Sequence, residues 1–150
     1  MKTEAKRRQR RPGFEVLDHT ADAAIRATGD TLAELLENAA YGMASLGYDP
    51  ESVTAAELVL IEVAGATPAD LLATWLKEII YLGEIEGLAF ARFQATTART
   101  LEGFAASGRA WGEPWHERIR RRGAVVKAVT YHNLAAEERN GWQATVTFDL

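Results

Sequence analysis

The spacing of apolar residues changes along this chain, and that change constrains the fold more than any other feature. Between residues 31 and 82, two segments repeat apolar residues every three or four positions, the period of an amphipathic α-helix. From Leu88 onward, β-type stretches recur at hairpin spacing. Two helices followed by a run of strands predict a single-domain α+β fold, with both helices packed on one face of a mainly antiparallel sheet.

Both predicted helices begin with a capping signal. Thr31 and Glu34 have the spacing of a capping box, and Thr67 precedes Pro68, a residue favoured at the first helical position. We expect the apolar stripe that follows each cap to face the core.

The β-type stretches are short and are separated by turn residues. The predicted strands span residues 14–17, 23–28, 58–63, 88–96, 101–111, 124–131, 134–138 and 142–148. The strand 58–63 is expected to be largely buried, because its residues are nearly all apolar. Asn140-Gly141 predicts a tight hairpin turn before the last strand.

Length and composition limit the classes of protein that this chain can belong to. A chain of 150 residues is the size of one domain and buries enough surface to fold without disulfides. It has no cysteine, which excludes thiol nucleophiles and cysteine-bearing metal sites. Without a membrane-length apolar run or a secretory signal pattern, the sequence predicts a cytoplasmic protein.

Charge is distributed unevenly along the chain. The net charge is −4, but residues 1–12 carry six Lys or Arg against Glu4, so the remaining 138 residues sum to −9. We interpret residues 1–13 as a basic, disordered arm preceding a domain at 14–150. The arm either only solubilises the protein or binds the phosphates of a nucleic acid.

Carboxylates at the two ends of the domain are the main candidates for a functional site. Asp18 and Asp22 bracket the loop between the first two strands, and Asp149 precedes Leu150 at the end of the last strand. If that loop lies beside the end of the last strand, Asp22, Asp149 and the terminal oxygens of Leu150 form an all-oxygen pocket for Ca²⁺ or Mg²⁺. Alternatively, Asp18 and Asp22 are turn residues that bond nearby backbone amides.

Basic residues outside the arm are the second group of candidates. Arg118 and Arg120–Arg122 lie in one loop, where they either are solvated or contact phosphate or an acidic partner. Lys127 interrupts an apolar run and is predicted to project from a half-buried strand, either into solvent or at the mouth of a pocket.

Four separated stretches together resemble the archease family, in order and in spacing. They are Leu17-Asp18-His19-Thr20-Ala21-Asp22, Trp75-Leu76-Lys77-Glu78-Ile79-Ile80-Tyr81-Leu82, Val126-Lys127-Ala128-Val129-Thr130-Tyr131-His132 and Phe148-Asp149-Leu150. The resemblance covers nearly the whole chain outside the basic arm.

The resemblance implies a role as protein cofactor rather than catalysis by the chain itself. Archeases are small α+β proteins that help RtcB-type RNA ligases become guanylylated and turn over repeatedly, in tRNA splicing and RNA repair. The family's metal-binding positions fall on Asp22, Asp149 and Leu150, with Ca²⁺ the expected ion and Mg²⁺ or Mn²⁺ possible. The family's functional lysine falls on Lys127. His19, Arg121 and Arg122 are possible accessory residues.

The chain departs from the family pattern in one loop, and two other functions stay open. Where the family has an Asp-Pro-Glu-Arg-His type segment, residues 115–122 lack that aspartate and histidine, although His116 lies nearby. One alternative is an RNA-binding module that uses the arm and the loop Arg118–Arg122. The other is a metal-dependent hydrolase built on Asp22, Asp149 and His19.

Overall fold

The computed structural model describes residues 12–17 and 22–150. The elements are β1 (Phe14–Leu17), β2 (Ala23–Gly29), α1 (Leu32–Gly47), a 3₁₀ turn (Pro50–Ser52), β3 (Glu57–Gly65), α2 (Pro68–Glu86), β4 (Leu88–Thr100), β5 (Gly103–Pro114), β6 (Ala128–Glu138) and β7 (Trp142–Asp149). Asp18, His19 and the basic residues of the arm lie outside the described residues. No helix in the described ranges is both long and apolar enough to cross a membrane.

The seven strands form two antiparallel sheets. One has the order β1-β2-β7-β6 and the other the order β3-β5-β4. Helix α1 contacts β2 and β4, while α2 contacts β3 and β6, so each helix touches both sheets. The predicted α+β architecture is confirmed, and the strands divide between two sheets where the sequence predicted one.

Helix α1 begins where the sequence predicts. The Thr31 hydroxyl accepts a hydrogen bond from the backbone N–H of Glu34 at 3.1 Å, and the Glu34 carboxylate accepts one from the N–H of Asp30 at 2.9 Å. The helix ends at Gly47. These local bonds satisfy amide groups that a helix start otherwise leaves without partners.

Helix α2 has the same kind of cap. The Thr67 hydroxyl accepts from the N–H of Asp70 at 3.1 Å, and Pro68 occupies the first turn. Gly87 follows the helix with φ 66°, a left-handed conformation that a glycine adopts without strain.

The core is formed by the apolar faces of both helices and the inner faces of both sheets. Trp75 on α2 is fully buried, and its indole N–H donates to the Leu36 carbonyl of α1 at 2.9 Å. Gly108 of β5 allows this packing, since a Cβ there would lie 2.5 Å from the Trp75 ring and 2.4 Å from the Gln94 carbonyl oxygen.

Side chains from α1 and its C-terminus close the free edge of β4. The Tyr48 hydroxyl accepts from the Phe90 N–H at 2.8 Å and donates to the Phe90 carbonyl at 2.9 Å. Further along the strand, the Glu37 carboxylate accepts from the Ala95 N–H at 2.9 Å. These contacts satisfy backbone groups that would otherwise be free to pair with another chain.

The prediction that strand 58–63 is largely buried is wrong. In β3, Leu58 and Leu60 are 51% and 68% exposed, whereas Ile61 is 1% exposed. The helices cover only one face of the three-stranded sheet, so alternate residues of β3 face solvent although they are apolar.

The prediction of a strand at 124–131 is also wrong in its first half, because β6 begins only at Ala128. The separately predicted strand 134–138 belongs to this same β6, which is continuous but irregular in pairing between Thr130 and Ala135. Asn133 has φ 56° within that irregular stretch. Lys127 therefore lies just before a strand and not within one.

Candidate functional site

The register of β2 and β7 brings Asp22 and Asp149 together at one end of the four-stranded sheet. Ala23 is paired with Phe148, so Asp22 stands one position beyond the last pair, level with Asp149. Residues paired across antiparallel strands have Cβ atoms about 4.5–5.5 Å apart. We name Asp22, Lys127, Asp149 and Leu150 the tip.

Alternation along the strands directs these two aspartates away from the core. Phe148 is fully buried, whereas Asp149 is exposed and Asp22 is half-buried. Within the described residues, neither aspartate forms an ion pair. Their carboxylate oxygens therefore remain available to a ligand on the solvent side.

Strand β6 brings Lys127 to the same end of the sheet. Ala128 is paired with Asp149, and the Lys127 N–H donates to the Asp149 carbonyl at 2.8 Å. Lys127 is exposed. Its main chain therefore adjoins Asp149, and its side chain is accessible to solvent at this end of the sheet.

The donor set at the tip suits a hard cation. Asp22 and Asp149 supply carboxylates and Leu150 supplies further oxygens, the ligands that Ca²⁺ and Mg²⁺ prefer. Two residue pairs inward, on the same face of the sheet, Thr130 lies opposite Thr147, and its buried hydroxyl oxygen has no hydrogen-bond partner among the described residues. Among residues 12–17 and 22–150, no three His, Cys, Asp or Glu side chains are grouped closely enough to hold a metal. A cation here would therefore also use main-chain oxygens or ligands from outside the described residues.

The loop that carries Arg118 and Arg120–Arg122, before β6, is bonded to residues at the end of α1. Arg120 forms an ion pair with Asp49, through both its Nη2 and its Nε, the latter at 3.1 Å. Arg122 donates from its guanidinium to the Ser45 carbonyl at 2.8 Å. The Arg120 guanidinium, the main hydrogen-bond partner of the Asp49 carboxylate, holds the pKa of Asp49 below its usual value. Two of the four arginines of the loop thus stabilise the fold.

The two other arginines of the loop have no such partner within the described residues. Arg118 and Arg121 are exposed, and the Arg121 guanidinium lies 4.1 Å from the centre of the Trp115 ring. His116, which lies inside the altered segment 115–122, bonds Glu113 at 2.9 Å. The Thr54 N–H and His116 both contact Glu113 and lower its pKa.

The structure brings some of the predicted site residues together and separates others. Asp22, Asp149, Leu150 and Lys127 share the tip, whereas Arg122 is bonded to α1 and His19 lies outside the described residues. The sequence reasoning did not find Thr130. A threonine in a strand carries no signal of an unsatisfied hydroxyl, because that depends on the packing around it.

Comparison with known proteins identifies the family. Residues 14–150 match the Archease protein family (MTH1598/TM1083). The chain belongs to the archease family. The archease of Methanopyrus kandleri (strain AV19) is 39% identical over 138 residues, which cover 91% of this chain and 99% of that protein. The archease of Methanosarcina mazei is 34% identical over 139 residues, covering 91% and 95%.

A solved structure supports the same relationship. The solution structure of Methanobacterium thermoautotrophicum protein 1598 superimposes with a TM-score of 0.81 at 36% identity, covering 92% of this archease and 99% of that chain. The family match begins at Phe14, the first residue of β1, so it includes the tip and leaves out the basic arm.

Proposed function

We propose that this archease is a non-enzymatic activator of an RtcB-type RNA ligase, acting in tRNA splicing and RNA repair. It promotes guanylylation of the ligase and repeated turnover through its tip. The observation that carries this proposal is the strand register, which places Asp22, Asp149 and Lys127 at one end of the sheet although they lie far apart in sequence. Family membership supports the same assignment.

Each residue of the tip has a separate role in this proposal. Asp22, Asp149 and the oxygens of Leu150 hold a divalent cation, Ca²⁺ or else Mg²⁺ or Mn²⁺. Bound there, the cation supplies positive charge that orients phosphate oxygens. Lys127 is exposed and its main chain is bonded to Asp149; its ammonium group neutralises phosphate charge as the nucleotide and the ligase nucleophile come into line.

The test combines a ligase assay with a binding assay. Guanylylation and multiple-turnover ligation by an RtcB-type ligase are measured with wild-type protein, Asp22→Ala, Asp149→Ala and Lys127→Ala. Each variant is expected to reduce the stimulated rate to that of the ligase alone. Asp30→Ala is the matched control, because Asp30 is an exposed aspartate beyond the opposite end of β2. Unchanged stimulation by the Asp22 and Asp149 variants would refute the proposal.

Metal binding is tested separately by calorimetric titration with Ca²⁺ and with Mg²⁺. The Asp22 and Asp149 variants are expected to lose the binding heat, whereas Lys127→Ala should retain it, since an ammonium group is not a cation ligand. Binding that survives loss of both aspartates would contradict the assignment of the ligands.

The two alternative functions predict different results in the same experiments. A hydrolase would turn over a phosphoester substrate without the ligase, with a rate that depends on Asp22 and Asp149. An RNA-binding module would bind RNA with strong salt dependence and lose that binding when residues 1–12 are deleted. Either result without ligase stimulation would favour that alternative.

A further inference from the structure

A cavity of about 260 Å³ lies between the C-terminal halves of both helices. Its lining residues include Ala44, Tyr48, Ile79, Glu84, Phe90 and Arg121. Residues of β4 form one wall, and Arg121 and residues 124–126 also line the cavity. We name residues 121–126 the roof.

The interior of the cavity offers apolar surface. Ile79 and Phe90 are each 3% exposed, so they belong to the packed core that the cavity reaches. The Tyr48 hydroxyl is already bonded to both backbone groups of Phe90 and has no need of a ligand partner. A ligand body in contact with these residues must therefore be apolar, an alkyl chain or an aromatic ring.

The roof is fixed at its two ends. The Arg122 N–H donates to the Gly47 carbonyl at 2.8 Å, and the Lys127 N–H donates to the Asp149 carbonyl at 2.8 Å. Between them, Gly123 has φ 78°, and residues 122–127 belong to no strand or helix. Val125 is 65% exposed although it lines the cavity.

One positioned cation lies on the roof. The Arg121 guanidinium lies over the Trp115 ring at 4.1 Å, and within the described residues it forms no ion pair. Its neighbours Arg120 and Arg122 are instead engaged by Asp49 and Ser45. Stacking on the indole holds Arg121 in place and leaves its donors directed to solvent or to an anion.

We propose that this cavity binds a small amphipathic anion, whose apolar body contacts the half-buried Ile80 and Val126 next to Ile79 and Phe90, and whose single anionic group binds Arg121. A carboxylate or sulfonate matches the planar donor fork of a guanidinium. The exposed carboxylate of Glu84 also lines the cavity, and it disfavours a ligand with a second anionic group. The ligand contacts no carboxylate of the tip, and the proposal does not rest on the ligase function proposed above.

Two fluorescent probes that differ by one charge test this proposal. Anilinonaphthalene sulfonate carries an aromatic body and one sulfonate, whereas phenylnaphthylamine has the same ring system without charge. Both are titrated into the full-length protein. We expect both to bind, with the sulfonate bound about two- to fivefold more tightly, the ratio that an exposed charge pair provides. Equal affinities would overturn the assignment of Arg121 as the anion partner.

Variants then locate the site. Arg121→Gln is expected to remove the advantage of the sulfonate and leave the neutral probe unchanged, and Arg118→Gln is the matched control at an exposed arginine of the same loop. Ala44→Leu fills the cavity from α1 and is expected to weaken both probes. If Ala44→Leu does not fold, NMR shifts of the Ile79 methyl groups on titration replace it, with Ile61 of β3 as the control. Probe binding that neither variant alters, or shifts at Ile61 and not at Ile79, would overturn the proposal.

Glu84→Gln is expected to change the affinity for the sulfonate in the opposite direction to Arg121→Gln. Removal of this carboxylate is expected to tighten binding of the sulfonate by about twofold and to leave phenylnaphthylamine unchanged. Weaker binding of the sulfonate would contradict the placement of the anionic group.

Discussion

Replacing Tyr48 with phenylalanine removes one oxygen atom that satisfies two backbone groups. In the folded protein this hydroxyl accepts from the Phe90 N–H at 2.8 Å and donates to the Phe90 carbonyl at 2.9 Å. Phe90 is 3% exposed and lies at the free edge of β4. The substitution keeps the aromatic ring, which packs edge-on against Trp115 at 5.0 Å.

The expected loss follows from the cost of unsatisfied backbone groups. Leaving a buried N–H or carbonyl without a partner costs about 1–3 kcal/mol each. Tyr48 is only half-buried, so water can reach part of the vacated space. The summed cost for the two Phe90 groups should therefore lie near the lower limit of that range. We expect the free energy of unfolding of Tyr48→Phe to fall by about 2 kcal/mol, which lowers Tm by roughly 4–8 °C for a domain of this size.

Urea unfolding at pH 7, followed by tryptophan fluorescence, measures this loss. Tyr81→Phe is the control, because Tyr81 is 55% exposed and its substitution should change the free energy of unfolding by less than about 0.5 kcal/mol. If Tyr48→Phe is as stable as that control, the Phe90 groups do not depend on the hydroxyl and the reasoning fails.

The same variant has a distinct dependence on pH. Burial, the largest cause, raises the pKa of Tyr48 well above its usual value near 10. The folded protein therefore holds the phenolic proton more tightly than the unfolded chain, and this stabilisation is complete below pH 10 and lost as pH rises above it. Wild type should then lose up to about 1.4 kcal/mol per pH unit relative to Tyr48→Phe. Parallel stability curves for the two proteins between pH 9 and pH 11 would refute this.

Three further variants test other contacts by urea unfolding. Desolvation, and to a lesser extent Glu34, raises the pKa of Glu37, while the hydrogen bond from the Ala95 N–H opposes the shift. Wild type therefore loses stability as pH rises through that pKa. We expect Glu37→Gln to be more stable than wild type at pH 7 and equally stable at pH 4. In Asp49→Asn the ion pair with Arg120 is broken, and the free energy of unfolding should fall by about 0.5–1 kcal/mol at pH 7. This difference from wild type should disappear as pH falls through the lowered pKa of Asp49. In Gly108→Ala the free energy of unfolding should fall by about 2–3 kcal/mol, because the new Cβ would lie 2.5 Å from the Trp75 ring. A decrease of less than about 1 kcal/mol would show that the ring moves freely.

Local chemistry explains which elements the sequence predicted correctly. Thr31 and Thr67 bond amides only three residues away, so a helix start is encoded within one turn of sequence. Asn140 and Gly141 both have positive φ, as the predicted hairpin turn requires. In each case the residues that decide the conformation are neighbours in the chain.

The incorrect predictions concern contacts between distant segments. Leu58 and Leu60 are apolar, yet they face solvent because no helix packs on that face of β3, and this depends on where α2 lies. Residues 124–127 have β-type composition, but hydrogen bonds from Arg122 to Gly47 and from Lys127 to Asp149 lead this segment past the ends of both helices. A pattern of apolar residues cannot specify which neighbours it will meet.

The tip shows how much of a site sequence reasoning can provide when its parts come from opposite ends of a chain. The residue types suggested an oxygen pocket, but their proximity required β2 and β7 to be neighbours in one sheet, which no local pattern encodes. The antiparallel register supplies that proximity: Ala23 beside Phe148 places Asp22 level with Asp149, and a slip of one residue would turn the aspartate toward the core. Burial of Ile25, Val146 and Phe148 on the inner face fixes this register. The packing of the core therefore determines the geometry of the tip, and variants that loosen the inner face should impair the tip even when both aspartates are present.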